Sequence, residues 1–310
     1  MNNVPAGAFR IDACTLLAFR YNGGMRIRLC SFLCLCLMVS CDPEKPAAPE
    51  PETPQEMYDR ARSLMQPNVE HDASDSEGAM TWLRRAAEGG HLQAQTDLAG
   101  VYLTGGRDGK VKPDYAEAYK WFSAAAEQGS KEAHLFLGML CMDGNGTAKD
   151  EAAAIAHWRV AAEADIAEAQ FRLGRVLARR PDSSEEGRSL LRRAVREGQR
   201  GGVPQAATAL GAIYMKGANV PAAPREAAKW YELGAMGGDP LAQLVFAQML
   251  MLGDPVPRDE QRGMAMLRMA AGQDYPQAIA LLINLLRNAP DAPAHEQEAE
   301  AWSKRLEKLR

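Results

Sequence analysis

The groups able to act as nucleophiles or metal ligands are six cysteines and five histidines, and their spacing favours neither role. Cys14, Cys30, Cys34, Cys36 and Cys41 crowd towards the start of the chain, which leaves Cys141 alone in the long remainder. A lone thiol has no intrachain partner for a disulfide, so Cys141 reads as a buried packing residue. His71, His91, His134, His157 and His295 are scattered, and no two stand at the H-E-x-x-H spacing that sets two imidazoles around zinc. Neither a G-x-S-x-G elbow nor a phosphate-cradling P-loop is present. Asp75, Asp114, Asp150 and Asp259 recur as a row of carboxylates, each four residues before a small residue of a helical pattern: Ala79, Ala118, Ala154 and Gly263. That placement suits helix N-caps, whose side-chain oxygen takes up an unpaired backbone N–H. A carboxylate row with a chemical role is the alternative. No catalytic residues, cofactor or metal are expected, and the chain does not read as an enzyme.

The cysteine-dense stretch has a different chemistry. Residues 25–41 read MRIRLCSFLCLCLMVSC: Arg26 and Arg28, then an apolar run of about eleven residues from Leu29 to Val39. Such a run is too short to span about 30 Å of hydrocarbon comfortably as a helix, and it suits a secretory signal peptide. Its end, Met38-Val39-Ser40-Cys41, resembles a bacterial lipobox, which implies that Cys41 is lipidated and becomes the mature N-terminus. A non-lipidated signal peptide cleaved nearby is the alternative. Residues 1–24 are mixed in polarity and read as an extension upstream of a true start at Met25, or else as a long n-region. Residues 42–55, DPEKPAAPEPETPQ, hold five prolines, which lack the amide donor a helix needs and favour an extended, semi-rigid tether. The expected location is the periplasmic side of a bacterial envelope, with the chain held to the membrane by lipid. Asp42 directly after Cys41 resembles an inner-membrane retention signal of enteric bacteria, which leaves the choice of membrane open.

Helices must position whatever the rest of the chain does. Between Asp114 and Gly144, Ala118, Trp121, Ala125 and Ala126 recur at helical spacing, Gly129 ends that helix, and Ala133, Leu137, Gly138 and Cys141 mark one face of a second. Neither helix buries its face alone, so the unit needs neighbours. The alanine of the second helix returns at Ala94, Ala133, Ala169, Ala206, Ala242 and Ala278, in steps of 39, 36, 37, 36 and 36 residues. Four and five residues after each come Leu98-Ala99, Leu137-Gly138, Leu173-Gly174, Leu210-Gly211, Phe246-Ala247 and Leu282-Ile283. The tryptophan helix repeats as Trp82, Trp121, His157, Leu190, Trp230, Met266 and Trp302, with Trp158 beside His157 as a substitute for the missing bulk. A fixed period of this length signals stacked helical repeats. Residues 56–310 then form one repeat domain, with a polar, Lys- and Arg-rich last helix as its end cap. A formal charge of −4 argues against a nucleic-acid surface.

The segments AYKWFSAAAEQG (118–129), EAHLFLGMLCMDGNG (132–146), AAKWYELGAMGG (227–238) and QAATALGAIYMKG (205–217) resemble the Sel1-like repeats, relatives of the tetratricopeptide repeats. The third unit departs most, with Gly187 and Leu190 in place of alanine and tryptophan and an insertion at 199–202. The chain also lacks the paired cysteines that staple each repeat in the cysteine-rich bacterial members, so no hydrolase or penicillin-binding activity carries over from them. The resemblance implies an all-α fold: a right-handed superhelical α-solenoid of about seven helical hairpins, with the alanine-led helices lining the concave face. Carrying that register over residue by residue gives a partner-binding surface that includes Met139 and Met142, Phe171 and Arg175, Met215, and Leu244, Gln248 and Met251. The expected partners are proteins or peptides in the concave groove, as in envelope assembly, secretion or regulatory complexes. A cell-wall glycan binder or modifying enzyme is the alternative. It calls for concave aromatic and acidic side chains, and Phe171 is the only aromatic in this set.

Overall fold

A computed structural model describes residues 52–65, 73–106, 111–198, 203–289 and 292–309. The signal segment, Cys41 and residues 42–51 of the proline-rich tether lie outside these residues, as does the insertion at 199–202. Among the described residues there are fourteen α-helices, one 3₁₀ turn and no strand. They form seven antiparallel hairpins: α1 (Pro54–Leu64) with α2 (Ala73–Glu88), α3 (Leu92–Thr104) with α4 (Tyr115–Glu127), α5 (Lys131–Asp143) with α6 (Glu151–Glu163), and α7 (Ala167–Leu177) with α8 (Ser184–Gly198). The remaining three pair α9 (Pro204–Lys216) with α10 (Pro224–Met236), α11 (Pro240–Leu252) with α12 (Glu260–Gly272), and α13 (Pro276–Arg287) with α14 (Ala292–Glu307). From the second hairpin on, each opens with the alanine-led helix. The tight α4–α5 turn that stands out in the sequence therefore joins two hairpins and does not lie within one.

Local chemistry accounts for the helix ends. Asp114, Asp150 and Asp259 are N-caps, each accepting a hydrogen bond from a backbone N–H of the first turn. Asp75 is not: α2 begins at Ala73 and Asp75 lies within it. The capping box is at Thr53 and Glu56, where α1 begins with Pro54 at its first position. Gly144, Gly217 and Gly253 end α5, α9 and α11 in the left-handed region, and each returns its N–H to a carbonyl of the last turn. Between hairpins the same conformation falls to Gly129 and Gly238, and to Asp165 and Asp274, both with φ of 59°. Aspartate tolerates this region better than most residues. Both of these aspartates are also held by an arginine of the following hairpin, Arg193 and Arg305.

The core has a simple register. The leading alanines from Ala94 to Ala278 are fully buried, as are Leu98, Leu210 and Leu282 four residues on. On the partner helix the deepest position is the residue after the tryptophan: Leu83, Phe122, Trp158, Leu191, Tyr231 and Leu267 are all buried. Trp82, Trp230 and Trp302 themselves are only half-buried. Trp158 thus aligns with Phe122 and does not replace Trp121.

The second residue of each leucine-glycine pair faces that deep side chain. A methyl group built on Gly138 would lie 2.4 Å from Trp158, on Gly211 2.9 Å from Tyr231, and on Gly174 2.9 Å from Leu191. Gly187, the departure in the third unit, has the same cause. A methyl group there would lie 2.2 Å from the backbone nitrogen of Ala178, so α7 and α8 cross too closely for a side chain.

One further series was not read from the sequence. Gln95, Gln170 and Gln243, each directly after a leading alanine, are buried and donate from Nε2 to the carbonyls of Ala87, Ala162 and Ala235 in the preceding hairpin. Gln128 and Gln273 donate in turn to the Oε1 atoms of Gln95 and Gln243. This satisfies helix-end carbonyls that would otherwise be buried unpaired, and it ties the second, fourth and sixth hairpins to the ones before them.

Candidate functional site

α7 touches α9, α9 touches α11, and α11 touches α13. These alanine-led helices therefore approach one another more closely than the helices between them do. Of the expected binding residues, Met139 and Met142 are half-buried on α5, packed against the α5–α8 core with their remaining surface open. Met215 and Met251 hold the same state on α9 and α11. Arg175 and Gln248 are exposed. Arg175 sets its guanidinium 5.3 Å above the ring of Phe171, a cation–π contact.

Phe171 and Leu244 require correction. Each is only 8% exposed. Phe171 belongs to the core cluster with Ala206, Ala207 and Leu210 of α9, and Leu244 to that with Ala278 and Leu282 of α13. Both stand two residues after the leading alanine, where the next alanine-led helix leans over them. Thr208, at the same register, is also buried and donates to the carboxylate of Asp239. Residues at this position therefore join successive hairpins, and Phe171 is not free to stack on a sugar ring. The most open apolar group on the alanine-led helices is Leu252, 79% exposed at the end of α11, followed by Leu241 at its start. Met236 and Met269, on the tryptophan-bearing helices, are likewise exposed and were not expected.

The charge on this face changes along its length. Arg175, Arg179 and Lys216 are exposed near the C-terminal ends of α7 and α9, while Asp97 on α3 accepts hydrogen bonds from Tyr58 and Gln93. Burial, with Asp97 beside it, raises the Tyr58 phenol to about 12. Clefts of 420 and 280 Å³ open elsewhere, one lined by Arg225 and Asp254, the other by Arg159 and Arg193. Neither includes a residue of the concave set.

Cys141 is buried, and burial pushes its thiol above the usual range, which disfavours the nucleophilic thiolate. Among the described residues no three His, Cys, Asp or Glu side chains converge as a metal site would require. Two histidines from different helices do meet, however. Nδ1 of His134 on α5 lies 2.9 Å from Nδ1 of His157 on α6. No sequence spacing signals this pair, because it depends on how two helices of one hairpin align. Among the described residues no helix is long and apolar enough to cross a membrane.

Comparison with known proteins agrees with this geometry. The Sel1 repeat matches residues 69–91, 92–130, 131–166, 167–198, 204–239 and 240–282, more than half of the chain. Its central boundaries fall at the starts of α3, α5, α7, α9 and α11, the hairpin phase seen in the structure. An uncharacterized protein of Neisseria meningitidis serogroup B is 26% identical over 235 residues, which is 73% of this chain and 40% of that protein. A protective antigen of uropathogenic Escherichia coli, described as displaying an SLR fold, superposes with a TM-score of 0.65 at 26% identity. That match covers 83% of this chain and 54% of the antigen. A Sel1 repeat protein from Oxalobacter formigenes superposes with a TM-score of 0.65 at 24% identity, over 75% of this chain and 94% of its own. The chain thus spans about half or less of the first two relatives. Six matched repeats, seven stacked hairpins and these superpositions place it together with them: the chain belongs to the Sel1 repeat family.

Proposed function

We propose that the chain is a lipid-anchored scaffold on the periplasmic side of a bacterial envelope, and that it gathers protein or peptide partners in its concave groove. Sel1 repeats generally serve as protein-binding scaffolds without catalysis of their own. The observation that carries the reading to this chain is the accessible row on consecutive alanine-led helices. Met139 and Met142, Arg175, Met215, then Gln248, Met251 and Leu252 keep open surface while their neighbours build the core. Methionine is flexible and polarizable, so it adapts to varied apolar partners. The anchoring rests on Met38-Val39-Ser40-Cys41 behind a short basic and apolar segment, with the proline-rich tether between Cys41 and the first helix. Mass spectrometry of the mature protein tests the anchor: acylated Cys41 at the N-terminus is expected, Cys41→Ser abolishes it, and an unmodified N-terminus elsewhere refutes it. A photo-crosslinking residue at Gln248 or Arg175 tests the groove. Adducts are expected from both positions and not from Lys229, an exposed site on α10. The reverse pattern would move the binding surface to the tryptophan-bearing helices.

A further inference from the structure

His134 and His157 face each other across the α5–α6 hairpin, with ring centroids 5.2 Å apart and planes 39° from parallel. With their Nδ1 atoms 2.9 Å apart, one ring donates and the other accepts, so the contact holds one shared proton. One imidazolium can be accommodated, since the neutral partner still offers a lone pair. Two cannot, because two N–H donors would then point at each other. Burial lowers the proton affinity of both rings, and the charges of His157 and Lys131 lower that of His134 further.

The flanking helices offer no compensating charge. Of the carboxylates on α4, Glu117 is engaged by Lys120 and Trp121, and Glu127 is exposed. On α6, Glu151 pairs with Arg180, Arg159 with Glu186, and Glu163 is exposed. On α7, Glu168 pairs with Arg172, and Arg175 lies over Phe171. None of these carboxylates is resolved as acting on either ring. The repeats supply an internal comparison. The register of His134 is filled by Gln95, Gln170 and Gln243, and that of His157 by Trp82, Trp121, Leu190, Trp230 and Met266. None of those side chains titrates near neutrality, so this hairpin alone carries titrating groups on both sides of the contact.

We propose that the His134–His157 contact is an acid-sensitive joint, holding α5 against α6 at neutral pH and releasing that hairpin on acidification while its neighbours stay closed. The sign follows from linkage. Both rings bind protons less readily folded than unfolded, so the unfolded hairpin takes up more protons once the pH falls below about 6.5, the ordinary histidine value. Stability is highest above that pH and falls as the rings are forced to charge. Because α5 also carries Met139 and Met142, release would loosen the middle of the concave row. Two unit charges 5.2 Å apart shift an equilibrium about fourfold even with the dielectric of bulk water, which sets a lower bound.

Amide hydrogen exchange on the full chain at pH 7.5 and 5.0, corrected for the intrinsic pH dependence of exchange, tests this. The expected result is a loss of protection in α5 and α6 at least about fourfold greater than in α11 and α12. His134→Gln, which installs the residue used at this register in three other repeats, should abolish the difference. His157→Met, as at Met266, is the second variant should the first fail to fold. An equal loss in wild type and a folded variant, or no selective loss in wild type, overturns the proposal.

Discussion

Gly138→Ala is the sharpest test of the packing scheme. The added methyl carbon would sit 2.4 Å from both Cδ1 and Nε1 of Trp158, more than 1 Å inside the usual carbon contact of roughly 3.5–4.0 Å, and 2.9 Å from its Cε2. Trp158 has little room to yield. It is 3% exposed, and its Nε1 donates to the carbonyl of Leu135 at 3.1 Å. Overpacking costs about 1–3 kcal/mol, and a clash on three ring atoms belongs at the upper end. Loss or weakening of the indole hydrogen bond adds about 1 kcal/mol. Replacing a mid-helix glycine by alanine returns about 0.5–1 kcal/mol. The net expectation is a destabilisation of about 3 kcal/mol, centred on α5 and α6 because energy in such arrays is largely nearest-neighbour.

The chain contains its own control. The sixth family repeat has Ala247 at the register of Gly138 and the buried Leu267 at the register of Trp158. Trp158→Leu combined with Gly138→Ala reproduces that combination, so Gly138→Ala should cost far less in the Trp158→Leu background than in wild type. Urea denaturation followed by circular dichroism, with hydrogen exchange to localise the change, measures all four corners of the cycle. A Gly138→Ala protein as stable as wild type, or a cost unaffected by Trp158→Leu, would refute the reasoning.

The revised core register makes a second prediction. Phe122→Ala should cost about 3–5 kcal/mol, the range for a fully buried aromatic, whereas the half-buried Trp230 should cost less on truncation. The Trp230 indole nitrogen is buried without a hydrogen-bond partner, so Trp230→Phe should be neutral or slightly stabilising in the same denaturation assay; a large loss would show that the indole makes a contact of value. A third concerns alkali. With the Tyr58 phenol raised to about 12 by burial and by Asp97, its contribution is present below pH 10 and is lost as the pH rises through 12, where the folded state must give up the proton. Ultraviolet titration of phenolate should show two late-titrating tyrosines in wild type, Tyr58 and the buried Tyr231, and one fewer in Tyr58→Phe; an unchanged number in the variant would refute the placement of α1 against α3.

The accessibility of the expected binding residues was legible only in part. Arg175 and Gln248 are accessible as the register requires, and the four methionines keep part of their surface. Phe171 and Leu244 are not accessible, although their spacing is the same as that of the half-exposed Thr96 and Leu135. Position within a helix sets the direction in which a side chain points. Whether anything stands there depends on the angle at which the next hairpin is laid down, and no spacing within one helix encodes that angle.

What the sequence determined by itself is whatever local chemistry dictates. The 36–39 residue period, the helical class, the glycine C-caps and the caps at Asp114, Asp150 and Asp259 follow from backbone conformational preferences and helix-end hydrogen bonding within a few residues. Tertiary structure decided the rest. The hairpin phase, the depth of Phe122 and Trp158 relative to the tryptophan register, the glutamine series from Gln95 to Gln243, and the meeting of His134 with His157 all join residues from different helices. Their energies arise only when one helix is packed on another, since burial and steric contact are properties of the neighbour as much as of the residue.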